Sequence, residues 1–412
     1  MRTDRKHMRV LKFNKKGSYV VYLAMFLSGM LIMSGAVISA SHRVAVDSSV
    51  KSLGNVWAAS ITAEYDNELR DRYGLYGFFA NEVLVKDKLS LYSGYSFDGK
   101  DYIDVSSLEC SLDGYELSDL ENFRRQAAES VRRLWRPRAD GSKEEEETEE
   151  LSVNRYISAG WILDALPSHS YKGSLTGADG INSVLEIPYI FLVFKDHVDD
   201  RDLGKTFFCN EVEYIISGKP DDDKAGRAVY RELLLERNGL NLVYLYSCAE
   251  KRQLALEAAE IITPGPEALI TQAIILETWA LLEARNDLAL LYDGEKVPVV
   301  KTDANWALSI ENALNAEESG TADQELDTDQ PEKSYVQPER VEGQDYKDYL
   351  TTLLIAMPER TRLLRMMDLI QINMKYSYCG GFLLSDYYTG FEYKMTVNGT
   401  EYGFKDTFEN EK

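Results

Sequence analysis

The hydrophobic pattern is dominated by its N-terminal part. From Ser18 to Ser41 (SYVVYLAMFLSGMLIMSGAVISAS) no residue carries a charge. At about 1.5 Å per residue, such a run read as a helix crosses a hydrocarbon core about 30 Å thick. Val46, Val50, Leu53, Trp57 and Ile61 then recur at steps of three and four. That spacing predicts an apolar stripe on one face of the same helix, continued beyond the membrane as a packed stalk. Gly74, in RDRYGLYG, is placed to end it. A cleaved signal peptide is the competing reading, with Ser39 and Ser41 as a small-x-small site. The stripe beyond Ser41 favours a retained anchor.

Further elements follow in order. Asp98-Gly99 within SFDGKDYIDV predicts a hairpin. Residues 117–135 predict a helix with Ser118 or Asp119 as N-cap. The acidic stretch 136–150 predicts a disordered linker. Apolar content resumes over 151–167 around Trp161, and a polar loop is expected to about Ser183. LEIPYIFLVF, 185–194, fits helix or strand equally. From Glu211 the periodicity is helical. One helix is expected over 224–237, capped by Asp222 or Asp223 and broken by Asn238-Gly239. A second is expected over 241–262, with Leu242, Leu245, Cys248 or Ala249, Leu254 and Ala258 inward. Thr263-Pro264-Gly265-Pro266 breaks it, and Pro266 opens a third that Asp293-Gly294 closes. KVPVVK, 296–301, is a short strand or an extended crossing. Short connections predict an antiparallel helical bundle. Residues 315–344 predict a disordered surface insertion. Helix resumes over 345–357 and, after Pro358, over 359–377. FEYKMTVNGTEYGF alternates around Asn398-Gly399, a type I′ hairpin signal.

The expected fold class is α+β: a long membrane-plus-stalk helix and a mainly helical external body with a small antiparallel sheet. The expected division is a cytoplasmic basic segment 1–17, a transmembrane helix 18–41, a stalk and membrane-proximal α/β part 42–135, the linker 136–150, and a helical external domain 151–412. That last part carries the insertion and the C-terminal hairpin.

Charge sets the orientation. Arg2, Arg5, Lys6, Arg9, Lys12, Lys15 and Lys16 precede the span against one acid, Asp4. The positive-inside rule places the N-terminus in the cytoplasm and the body outside. The chain has 46 basic and 68 acidic residues, a net charge of -22. An acidic body excludes a general nucleic-acid binder, which needs a basic footprint, and suits an exposed, soluble exterior. The partner expected from the span alone is the lipid bilayer.

Candidate chemistry is sparse. There is no GxSxG, HExxH, Walker loop or Rossmann glycine fingerprint. His7 and His42 flank the span, leaving His169 and His197 for the body. DHVDDRD, 196–202, has ligand-type side chains without the spacing of a cage, and a solvated loop is preferred. Asp221, Asp222 and Asp223 are explained by helix capping. Glu211 and Glu213 stand two apart, on one face if extended, and are the only paired carboxylates considered for acid/base work; structural roles are preferred. Trp279 and Trp306 are expected on helical apolar faces in the core. Cys110, Cys209, Cys248 and Cys379 form no CxxC motif. They allow three disulfide connectivities or remain isolated thiols. Ala24 and Ser28, Gly35 and Ser39, and Ala36 and Ala40 have the spacing that lets membrane helices approach closely. No catalytic, cofactor-binding or metal site is assigned.

KKGSYVVYLAMFLSGMLIMSG followed by AEYDNELRDRYGLYGFF resembles the start of the external membrane proteins encoded beside tight-adherence (Tad, Flp-type) pilus genes in Firmicutes. NEVEYIISGK, ILETWALLEARNDLALLYDGEKVPVVK, DYKDYLTTLLIAM and RMMDLIQINM resemble the same uncharacterised domain family. The likeness covers most of the chain after residue 10, apart from the acidic linker and the 315–344 insertion. It implies a TadE/TadG-like, minor-pilin-like or pilus-assembly component, with no enzymatic activity and no cofactor, that meets other Tad/Flp components through its membrane and stalk helix. Pilin-type segments carry a Glu five residues after the processing glycine. Counted from Gly17 that position is Tyr22, so retention of residues 1–17 is expected rather than cleavage before Ser18. A membrane-tethered enzyme on wall polymers or peptides, and a stand-alone surface adhesin or scaffold, are the alternatives.

Overall fold

The computed structural model describes residues 15–135, 178–318 and 335–408. The linker 136–150, the apolar stretch 151–167 and the middle of the 315–344 insertion lie outside the described residues. The fold is α+β, mainly helical, and its chain forms two compact units.

The first unit contains Met1–Glu64, Asn81–Leu112 and Gly390–Lys412. Helix α1 is Lys15–Thr62, a single uninterrupted element. Its described residues through Ala45 are exposed, and the window Tyr19–Thr62 contains a stretch long and apolar enough to cross a membrane. From Val46 the exposure pattern changes: Val46, Val50, Trp57 and Ile61 are buried and Leu53 is half-buried. The stalk stripe therefore packs as its spacing predicts. It meets α3 (Glu82–Phe97) and a three-stranded antiparallel sheet of β2 (Val105–Ser111), β4 (Gly390–Val397) and β5 (Thr400–Thr407), in the order β2-β4-β5. Strand β4 alternates strictly: Phe391, Tyr393, Met395 and Val397 are buried while Glu392 and Lys394 face solvent. Tyr393 donates to the Gly54 carbonyl at 2.8 Å, and Trp57 Nε1 donates to Ser96 Oγ at 3.2 Å. A Cβ at Gly54 would lie 2.3 Å from the Phe404 ring, so glycine is what lets the hairpin approach the helix.

Two expectations are corrected here. Helix α1 ends at Thr62, not near Gly74. Asp66, in extended conformation, caps a separate helix α2 (Asn67–Tyr73) by accepting from the Leu69 N–H at 3.0 Å, and Gly74 closes that short helix at φ 63°. Asp98-Gly99 turns the chain, but between helix α3 and strand β2 rather than within a hairpin. Val85, Leu89, Ser93 and Phe97 bury one helical face at steps of four, which the Ser- and Tyr-rich composition concealed. The Asn398-Gly399 hairpin forms as expected, with φ of 50° and 76° at the two turn residues.

The second unit contains Tyr65–Ala80 and Asp113–Thr389. The partition thus differs from the sequential one. The C-terminal hairpin joins the stalk because β4 pairs with β2 from Val105↔Val397 to Ser111↔Glu392, whereas 65–80 and 113–135 belong with the helical body. A two-stranded ribbon pairs β1 (Phe78–Phe79) with β3 (Tyr387–Tyr388). Helix α4 (Leu120–Trp135) is capped by Asp119, which accepts from the N–H groups of Glu121 and Asn122. It packs on α5 (Ala178–Val193). The ambiguous 185–194 run is thus helical through Val193, and helix begins five residues before the expected loop end at Ser183. Leu185, Glu186, Tyr189, Ile190, Phe191, Val193 and Phe194 are all buried, and a helix covered all round shows no amphipathic period.

Helices α6 (Glu211–Ser217), α7 (Asp222–Ser247), α8 (Ala249–Ile262) and α9 (Ala268–Tyr292) follow, with α10 (Ile310–Glu318), α11 (Tyr346–Ala356) and α12 (Glu359–Ser377). The α7 cap is Asp221, not Asp222 or Asp223. Asp221 accepts from the Lys224 N–H at 3.1 Å, while Asp222 turns back to the N–H groups of Cys209 and Asn210. Asn238-Gly239 does not break α7. Gly239 is exposed, and the buried residues on either side, Leu234, Arg237, Asn241 and Leu245, hold the helix through it. The break falls at Cys248 instead. In α8 the inward residues are Ala255 and Ala259, with Leu254 turned out and Ala258 half-buried. The 296–301 segment is an extended crossing with one bridge, Val297↔Gln344. Residues 315–318 are helical, and the largely exposed stretch 335–344 is tied to the body by hydrogen bonds, among them Val336 N–H to Asn286 Oδ1 at 2.7 Å and Gln344 N–H to the Val297 carbonyl at 2.9 Å.

Trp57→Ala is expected to destabilise the first unit by about 3–5 kcal/mol, and Gly54→Ala to lower its melting temperature as well. Circular dichroism melts of the detergent-solubilised chain measure both; a Gly54→Ala melt equal to wild type would mean that the hairpin does not approach α1 this closely.

Candidate functional site

The most concentrated chemistry in the described residues is a buried charged cluster in the second unit. Glu283 and Asp287 stand one turn apart on α9, and Arg237 and Asn241 one turn apart on α7. Lys301 comes from the extended crossing. All five are buried. Arg237 Nη2 contacts Asp287 Oδ2 at 2.8 Å, and Lys301 Nζ lies 2.6 Å from both Glu283 Oε1 and Asp287 Oδ1. Two cations thus meet two carboxylates.

The remaining hydrogen-bonding capacity goes to backbone. Arg237 Nη1 donates to the carbonyls of Pro298 and Val299 and to the Tyr349 hydroxyl, which itself donates to the Val297 carbonyl. Lys301 donates to the Asn305 carbonyl at 2.8 Å. Glu283 accepts from the N–H groups of Ala307 and Leu308, each at 2.9 Å. Asn241 Nδ2 donates to Asp287 Oδ2 at 3.1 Å. The cluster therefore ties residues 297–308, whose own regular bonding is one bridge and one short 3-10 turn, to three helices. Buried backbone groups need such partners, and buried charges are tolerated when paired and hydrogen-bonded.

The sequence reading missed this cluster. Its signal was present as charged residues at inward positions: Glu283 and Asp287 interrupt the apolar face of the helix ending at Asp293-Gly294, and Arg237 precedes Asn241 by one turn.

Glu211 and Glu213 were the carboxylate candidates. Both lie on α6, a helix rather than an extended segment, and both are buried. Their oxygens are directed at the incoming chain: Glu211 accepts from the Lys195 N–H at 3.0 Å and from Asn373 Nδ2, and Glu213 Oε1 accepts from the His197 N–H at 2.9 Å and from the Tyr346 hydroxyl at 2.8 Å. His197 thus meets Glu213 through its backbone, while its ring contacts Asn210 Oδ1 and packs on Tyr292. Burial pushes both carboxyls up to about 7. Glu186, buried on α5 and paired with Arg362 at 2.7 Å, is also raised to about 7 because burial outweighs the guanidinium.

The 196–202 segment is not simply a solvated loop. Asp196 is buried and its carboxylate accepts from the Val198 N–H; Asp199 holds Arg201 at 2.6 Å, and Lys347 lies 3.5–3.7 Å from both acids. Among the described residues no group of three or more His, Cys, Asp or Glu is placed to hold a metal ion. Cys110, Cys209, Cys248 and Cys379 are free thiols. Trp279 is a core residue of α9; Trp306 is buried too, but follows a short 3-10 turn, Asp303–Asn305, rather than lying on a helix.

A second feature is on the surface. The α8–α9 hairpin exposes Ile261, Ile262, Leu269, Ile270 and Ile274 around its Pro-Gly-Pro turn, Ile261 at 83% and Ile270 at 67%. Thr263 and Thr271, neighbours of Ile262 and Ile270, share a hydrogen bond of 2.6 Å, so the two helix ends are joined side by side. Large aliphatic residues concentrated at one tip are a feature of contact surfaces.

The model of a family of unknown function, DUF5702, matches residues 120–399. The chain belongs to that family. The DUF5702 match begins at the start of α4 and contains the charged cluster, the buried acids of α6 and the exposed hairpin tip. It leaves the apolar helix α1 outside. No curated protein and no solved structure matches the chain.

Lys301→Met leaves Glu283 and Asp287 with too little compensating charge, and is expected to lower stability by about 3–5 kcal/mol in denaturant titrations. Glu213 supplies a pH test. Both of its hydrogen bonds fall on Oε1, so Oε2 can carry the proton. A carboxyl raised from 4.5 to about 7 contributes stability that is complete below about pH 4.5 and is lost as pH rises through about 7. Glu213→Gln keeps both accepted bonds and is expected to flatten stability between pH 5 and 8 by up to about 1.4 kcal/mol per unit; an unchanged slope would exclude Glu213 as the group that titrates.

Proposed function

We propose that the protein is a membrane-anchored, non-enzymatic component of a Tad/Flp-type pilus or secretion system, with its body outside the cell and its place at the base of the assembly. The observation that carries this reading is the continuity of α1. One helix runs from an exposed apolar half into a half packed against a sheet and a second helix, without an intervening hinge. A joint-free helix couples a membrane position to a folded head, which suits a positioned structural part. The basic residues ahead of the span support a cytoplasmic N-terminus. The likeness of the N-terminal and helical segments to proteins encoded beside Tad pilus genes supplies the system.

Two further features fit. The strongest charge clusters are spent on holding irregular backbone, and the exposed aliphatic tip of the α8–α9 hairpin offers a contact surface for another component. Tyr22 stands where a pilin-type segment carries Glu, so the anchor lacks the carboxylate that pairs with a neighbouring subunit's amine. That favours the base over the filament shaft.

Intact-mass measurement of protein from native membranes is expected to show residues 1–17 retained. Protease added to spheroplasts is expected to digest the body while leaving an N-terminal fragment, and deletion of the gene to abolish pili or the cognate secretion. A mature chain starting at Ser18 within purified filaments would replace the base with the shaft. Normal pili in the deletion strain would sink the reading altogether.

A further inference from the structure

Lys251, in the first turn of α8, points its ammonium into a group of three aromatic rings. Nζ lies 5.1 Å from the Trp306 ring centroid, 5.2 Å from Trp279 and 6.0 Å from Tyr244. The Trp279 and Trp306 rings meet edge to face, and Tyr244 lies 5.3 Å from Trp306 at a shallow angle. The walls are fixed from behind. Both indole N–H groups donate to the Leu308 carbonyl, at 3.0 and 2.8 Å, and the Leu308 N–H is held by Glu283. On the rim, the exposed Asp303 accepts from the Tyr244 hydroxyl at 2.6 Å and lies 3.6 Å from Lys251.

We propose that Tyr244, Trp279 and Trp306 form a binding cage for a quaternary ammonium group, kept filled in the free protein by Lys251. The two lysines of this region show the difference between a structural cation and a displaceable one. Lys301 has two carboxylates at 2.6 Å and a carbonyl at 2.8 Å. Lys251 has the rings and a single carboxylate at 3.6 Å, with its side chain 15% exposed. A primary ammonium carries three N–H donors that water would satisfy and the ring faces satisfy poorly. A trimethylammonium has no N–H to lose, and its diffuse charge is attracted by the ring faces. The cage therefore favours the methylated cation over its own lysine. The exposed Asp303 carboxylate lies at the mouth, beside the Tyr244 hydroxyl. The charge of Lys301, 5.9 Å from Trp306, is neutralised by Glu283 and Asp287. The ligand class is a choline-type group, from a soluble molecule or from a lipid headgroup.

The test is calorimetric titration of the full chain, purified in a maltoside detergent that carries no ammonium. The probes are choline, its neutral tert-butyl isostere, and short-chain phosphatidylcholine below its micellar concentration. Choline or phosphatidylcholine is expected to bind and the isostere not to. Binding of choline assigns a soluble source, and binding of phosphatidylcholine alone assigns the headgroup. Lys251→Met removes the internal competitor and is expected to tighten binding about tenfold. Tyr244→Ala, at a half-buried wall packed on the core, and Trp306→Ala are each expected to lose it, and each is read where its melt matches wild type. Absence of binding in both wild type and Lys251→Met, equal binding of the isostere, or unchanged binding in Tyr244→Ala would overturn the proposal.

Discussion

The helical body depends on a buried exchange of charge for backbone order. Between the end of α9 and the start of α10 the chain crosses the body with only one bridge, Val297↔Gln344, and one short 3-10 turn, Asp303–Asn305, of its own. Arg237, Glu283 and Lys301 supply partners to peptide groups of this segment, and Asp287 joins the two cations. Each cation also faces a carboxylate, so the cluster as a whole is neutral. Removing charges from water carries a large desolvation penalty. It is offset here because every ion makes several hydrogen bonds, and because the alternative is a row of orphaned carbonyls and N–H groups.

The same solution recurs at smaller scale. Glu211 and Glu213 receive the backbone of residues 195 and 197, and Arg362 joins Glu186 while donating to the Leu354 carbonyl at 2.7 Å. Glu211 and Glu213 hold a segment that arrives without regular structure, whereas Arg362 ties helix α12 to α5 and to the last turn of α11. These groups look catalytic when taken as residue types, since perturbed carboxyls cluster at functional sites. Glu211 and Glu213 each accept from a peptide N–H as well as from a side chain, so both hold the chain in place. Lys251 differs, because its ammonium faces three rings and has a single carboxylate at 3.6 Å.

In the first unit the governing constraint is different. Helix α1 meets two surroundings in one conformation: an exposed apolar half long enough to cross a membrane, and a stripe from Val46 to Ile61 packed on protein. The stripe is covered by α3 and by the terminal hairpin, which arrives from the far end of the chain. Gly54 allows the close approach, and the alternation of Phe391, Tyr393, Met395 and Val397 provides the facing surface.

The local code was legible where one short stretch contains the whole instruction. The uncharged run 18–41, the stripe to Ile61, the Asp119 cap, the helices flanking Pro358 and the Asn398-Gly399 turn all follow from spacing, capping and turn chemistry within a few residues. Gly239 inside α7, the helical state of 185–194, the pairing of β2 with β4 and the convergence of Arg237, Asp287 and Lys301 were decided by tertiary structure. An exposed glycine is tolerated when buried neighbours on both sides hold the helix, and a segment buried on every side carries no period to read. Charged residues far apart in the chain reveal their partners only once folding has removed them from water.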